Sequence, residues 1–124
     1  MRFALVLVAL ILASGCGRTG PLLSHGKPVS YWVEKLQDRD VKERKKAVVA
    51  LGPVGGADPA AIPAVIGAVK DPDATVRREA VLALLNLGSS AQEAVPALTE
   101  AQRDRDPQVR TYAAKALERI QGAK

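Results

Sequence analysis

The sequence predicts an all-α fold, an α-solenoid of three stacked helical hairpins. Three observations carry it. First, residue types recur at a fixed step of 33 positions: Asp38, Asp71 and Asp104; Asp40, Asp73 and Asp106; Arg44, Arg77 and Arg110. The same step links Ala47, Ala80 and Ala113, and Leu51, Leu84 and Leu117. A period of this length is what stacked repeats leave in a sequence. Second, each period holds two stretches with apolar residues at helical spacing. Third, aromatics make up only 3% of the chain while hydrophobic residues make up 48%. A core of Ala, Val, Leu and Ile suits closely packed helices better than sheets. At 124 residues there is room for at most one compact domain.

The chain begins with Met1 and Arg2, an apolar run from Phe3 to Ala13, then Ser14, Gly15 and Cys16. One charge, a short apolar stretch and small residues before a cleavage point is the layout of a secretory signal. The run is too short to span a hydrocarbon core of about 30 Å. Leu12 to Cys16 resembles the bacterial lipobox, which implies that residues 1–15 are removed and Cys16 is lipidated. Several acyl chains would hold the protein on a membrane without a spanning helix. The string from Cys16 to Leu22 also resembles the start of small outer-membrane lipoproteins. Gly17 stands where Asp would mark inner-membrane retention, so the expected address is the periplasmic side of the envelope, outer membrane before inner. Residues 16–28 contain three Gly and two Pro without periodicity, which predicts a flexible tether.

Three repeats follow, over about 29–55, 60–88 and 93–121. First helices are expected over 29–37, 60–70 and 93–103. The second helix of the middle repeat starts at the N-cap residue Asp73, and that of the third at Asp106, followed by Pro107 at the first helical position. Gly52 and Gly88 end the second helices of the first two repeats. In the middle repeat Val76, Ala80, Ala83, Leu84 and Leu87 form the core stripe. Trp32 stands where later repeats carry Val65 and Leu98, which predicts a larger side chain covering one end of the stack. The columns Asp38, Asp71, Asp104 and Arg44, Arg77, Arg110 predict a ladder tying each turn to the neighbouring helix. Repetition at every period is what stacking requires and a single active site does not.

The pattern of Pro63, Asp71, Arg77 and Pro96, Asp104, Arg110 resembles the HEAT-repeat family, in the short bacterial form related to phycobilisome lyases. Ser30, Asp38 and Arg44 make the first copy, which departs at the Pro, and Glu43 replaces the apolar residue found at Val76 and Val109. The first repeat is therefore expected to be an atypical end cap. The resemblance implies a non-enzymatic scaffold, here binding an envelope protein along the face lined by second helices. It also implies an alternative, a bilin-handling lyase.

Composition narrows the chemistry. One Cys and one His exclude an internal disulfide and leave no set for a zinc site. His25 lies between Ser24 and Gly26 in the expected tether, where a solvated histidine is the natural reading. No catalytic residue, metal or cofactor is expected. The formal charge is +5, and the run Lys42 to Lys46 is the basic stretch that would contact phosphates. Export removes nucleic acid as a partner and leaves anionic lipid. Turning half a circle from the core side of the middle second helix reaches Arg78, Leu82 and Leu85. The repeat step adds Lys45 and Val49 in the first copy and Lys115 in the third. These six are the expected partner-binding residues, an apolar centre with a charged rim, open also to self-association.

Overall fold

The computed structural model describes residues 23–122. The expected signal over 1–15, Cys16 and the tether up to Leu22 lie outside the described residues. Six α-helices form three antiparallel hairpins: α1 (Val29–Lys35) with α2 (Val41–Leu51), α3 (Ala61–Ala68) with α4 (Ala74–Leu87), and α5 (Val95–Ala101) with α6 (Pro107–Ile120). The helix α4 packs between α2 and α6, so the second helices line one side of the stack. The fold is the all-α solenoid that the 33-residue step predicts.

The turn inside each hairpin is built three times by the same chemistry. First helices are shorter than their apolar patterns, because their last residues unwind into i→i+3 bonds such as Asp71 N to Ala68 O and Asp104 N to Ala101 O, both 3.1 Å. The first Asp of each turn then folds back on the second. Asp71 Oδ1 accepts from Asp73 N at 2.9 Å, and the Asp38–Asp40 and Asp104–Asp106 pairs repeat this at 2.8 and 2.9 Å. The second Asp caps the following helix. Asp73 Oδ1 accepts from the backbone of Thr75 and Val76, and Asp106 does the same for Gln108 and Val109. Each cap satisfies amides that the helix start leaves unpaired.

Arginine closes the unit. Arg77 Nη1 donates to the carbonyls of Asp71 and Pro72, at 2.9 and 3.0 Å, locking its own turn. Its Nε and Nη2 grip both oxygens of Asp104 in the next repeat, at 2.9 and 3.0 Å. Arg44 and Asp71 form the same fork at 2.9 and 3.2 Å. Arg110 binds the carbonyls of Asp104 and Arg105, but among the described residues no further repeat offers it a carboxylate. The planar guanidinium fits this double task and an ammonium does not. Burial pushes the Asp104 carboxyl up, but the hydrogen bond from Arg77 and the other donors outweigh it and hold it below its ordinary value. Its contribution is therefore full above the ordinary carboxylate range and lost as pH falls through the lower folded value.

Removing Arg77 leaves a carboxylate whose side chain is 13% exposed without its partner. Arg77→Ala is expected to cost about 2 kcal/mol, or roughly 10 °C in Tm. Arg78 is more exposed, and its contact with Asp106 is 3.8 Å long. Arg78→Ala should lower Tm by less than about 5 °C. Calorimetry ranking the two in the opposite order would refute the ladder.

The core is one continuous aliphatic cluster. Leu51, Leu84, Leu98, Val48, Val65, Val76, Val81 and Val109 are fully buried. Ala47, Ala80 and Ala113 stand at equivalent places with no exposure, which lets the second helices approach closely. Val81 and Val48 are buried between repeats, whereas Ala114, one period further, is exposed because no repeat follows it among the described residues. Glu43 is only half-buried and pairs with Lys46, consistent with an end repeat that has one stacking face.

The tether expectation over 16–28 fails at its last six residues. Leu23–Ser24 and Lys27–Pro28 pair antiparallel as strands β1 and β2, joined by His25 and Gly26. Both turn residues have positive φ, 50° and 73°, the mirror-image two-residue turn that matches strand twist. The hairpin is latched to two helices. Ser24 Oγ donates to the carbonyl of Ala50 at 2.7 Å, and Trp32 Nε1 donates to the carbonyl of Ser24 at 2.8 Å. Trp32 and the hairpin thus cover the first end of the stack together.

Candidate protein-interaction face

The six residues expected on the outward stripe fall on α2, α4 and α6, but not all are open. Lys45 and Lys115 are exposed, and Val49 is 46% exposed. Arg78 is half-buried and bonds to Gln108 on α6, beside Asp106. Leu82 is half-buried and lines a groove between α2 and α4. Leu85 is half-buried too, but it packs against the core, so the sequence places it too far outward. A helix flanked on both sides by neighbours exposes a narrower strip than half a circle.

The groove holds about 470 Å³. Val49, Pro53, Leu82 and Leu87 give it an apolar floor, while Glu79 and Asn86 add polar atoms. Gly52 shapes its end. A Cβ there would stand 3.1 Å from the Ala83 Cβ, so the missing side chain lets α2 and α4 close. Gly52 keeps right-handed angles and leads into a 3-10 turn over Gly52–Val54, whereas Gly88 ends α4 with φ 55°.

A second cleft of about 470 Å³ opens on the other side of α2. It is bounded by His25, Trp32, Lys42, Lys45, Lys46 and Val49, and Val49 lines both hollows. Sequence reasoning separated these residues, giving His25 to a solvated linker and Trp32 to an end cap. The visible signal was Lys42, Lys45 and Val49 at spacings of three and four, one face of a helix. A larger hollow, about 710 Å³, runs beside Asp71, Arg77 and Asp104, whose charges are consumed by the ladder. Among the described residues there is no cluster that could hold a metal ion and no helix long and apolar enough to cross a membrane.

Stacked hairpins, a repeated Asp–Arg ladder and an apolar groove along the second helices define a helical-repeat solenoid. The chain belongs to the HEAT repeat family, whose sequence model matches residues 29–118. Among solved structures it is similar to the CpcE–CpcF complex of phycocyanin lyase from Nostoc sp. PCC7120, with 28% identity and a TM-score of 0.64 over 84% of this chain. It is similar to an engineered protein, at 26% identity and a TM-score of 0.63 over 75% of the chain. A designed armadillo repeat protein in complex with the peptide (KR)4 shares the fold, at 24% identity and a TM-score of 0.64 over 74%. The chain spans 40%, 45% and 46% of those three chains, respectively. No curated protein matches it. The repeat fold is consistent with a role in binding other proteins.

Proposed function

We propose that this chain is a non-enzymatic scaffold of the bacterial envelope, held on the membrane through Cys16, that binds a partner protein along its second-helix face. The observation that carries the reading is the groove between α2 and α4. Its apolar floor includes Val49, 46% exposed, and Leu82, half-buried, and the polar side chains of Glu79 and Asn86 stand at its margin. An apolar centre with a polar margin is the anatomy of an interface. The Asp and Arg columns are consumed in building turns, which leaves them to stability and not to chemistry.

The likeness to the phycocyanin lyase complex supports a second reading, a bilin-handling protein. Incubating the chain with bilin and an acceptor subunit separates the two, since only the lyase yields a covalent adduct. The scaffold is tested by Val49→Ser combined with Leu82→Ser. Leu85 is left intact because its substitution would disturb the core. The double variant is expected to lose more than nine-tenths of partner recovery from envelope fractions while remaining folded, with Tm lower by roughly 5–10 °C. Unchanged recovery would move the binding face elsewhere.

A further inference from the structure

Charge is not spread evenly along the solenoid. Residues 23–56 carry seven Lys and Arg against four Asp and Glu, whereas residues 57–124 carry nine of each. The excess over residues 23–124 therefore belongs to the hairpin and the first repeat, and three lysines of that repeat rim the cleft beside the hairpin. Lys46 pairs with Glu43 at 2.7 Å. Among the described residues Lys42 and Lys45 make no ion pair, so their charge is available.

The floor is built for an apolar group. The Trp32 Nε1 is already spent on the carbonyl of Ser24 at 2.8 Å, which leaves the indole carbon surface and the methyls of Val49 as lining. His25 stands edge-on to that indole, its ring centroid 6.1 Å away. It is the only non-glycine residue with positive φ among the described residues. The two-residue turn requires that conformation and so fixes where the ring stands. Here it walls one side of the cleft. Because Val49 also lines the α2–α4 groove, the two hollows adjoin across α2.

We propose that this cleft captures an acidic peptide segment of the partner protein, with one apolar side chain against Trp32 and Val49 and flanking carboxylates on Lys42 and Lys45. The proposal rests on the scaffold reading and names the chemistry of its partner. Concavity distinguishes this occupant from a membrane surface. A hollow of about 470 Å³ has room to enclose an inserted apolar side chain, whereas a lipid interface is met by protruding aromatics. Charge complementarity then sets the sign of the partner and speeds its encounter.

Trp32 is the only tryptophan in the chain, so its emission reports this cleft alone. The full chain is reconstituted into neutral phosphatidylcholine vesicles and titrated with a synthetic peptide of glutamates around one leucine. A saturable change in Trp32 emission is expected, weakening at least fivefold as salt rises from roughly 50 to 500 mM. Lys42→Glu with Lys45→Glu should weaken it at least tenfold at unchanged Tm, both side chains being exposed. A peptide of lysines around one leucine should give no change. No response to the acidic peptide, or an equal response to the basic one, overturns the proposal. So does an emission shift on phosphatidylglycerol vesicles with none from the peptide, which would make the cleft a lipid-facing surface. Failure here with an intact loss of partner recovery in the Val49 and Leu82 double variant would remove the acidic chemistry and leave the scaffold standing.

Discussion

Leu84→Ala is expected to lower stability by about 3–5 kcal/mol, and Tm by roughly 15–30 °C. Leu84 is fully buried on α4, the helix that packs against both other second helices. Stacked repeats hold the site open on two sides, so the cavity cannot collapse as it might at a free surface. In a repeat array stability comes largely from the interfaces between neighbours, and the middle repeat takes part in both. Against a total of about 5–15 kcal/mol, that is a large share of the stability of the fold. Leu82→Ala is the control on the same helix. Its side chain is half-buried, and the expected cost is about 1 kcal/mol. Chemical denaturation giving equal costs would mean that α4 is not the centre of the stack.

Cys16→Ala is expected to have the largest effect on location. Each buried methylene of an acyl chain contributes about 0.8 kcal/mol, so several chains on one residue separate stable anchoring from release. Metabolic labelling with a fatty-acid analogue should mark the wild-type chain and not the variant. The variant should appear in the soluble fraction or stay unprocessed. An unlabelled wild type in its native host would remove the anchor from the account, while the solenoid and its groove would be unaffected.

The repeated turn was legible in the sequence because each of its residues has a separate reason to recur. Asp71 braces the turn, Asp73 caps α4, and Arg77 joins both to the next repeat. Chemistry that must act at every step leaves a column in the sequence. The hairpin left none. Its strands are two residues each, too short for an alternating pattern, and its turn is set by His25 and Gly26, whose flanks read as linker. Its attachment depends on Ser24 and Trp32, eight positions apart, through atoms no periodicity announces.

The face was half legible. Val49 and Lys45 are open as their positions suggest, but Leu85 packs against the core. A single helical wheel treats one side as core, whereas α4 is covered by α2, α3 and α6. That is also why Val81, outside the expected core stripe, has no exposure. The cleft at Trp32 was illegible because it is formed across the hairpin, which the sequence did not reveal.

The central claim is that the second-helix face meets a protein partner. Site-specific photo-crosslinking tests it most directly. A photoreactive amino acid replaces Val49 on that face in one variant, and Val33 on α1, also exposed, in the other. Irradiation in the native envelope should yield a discrete protein adduct at position 49 and none at position 33. An adduct confined to position 33, or light-dependent adducts at neither position, would contradict the claim.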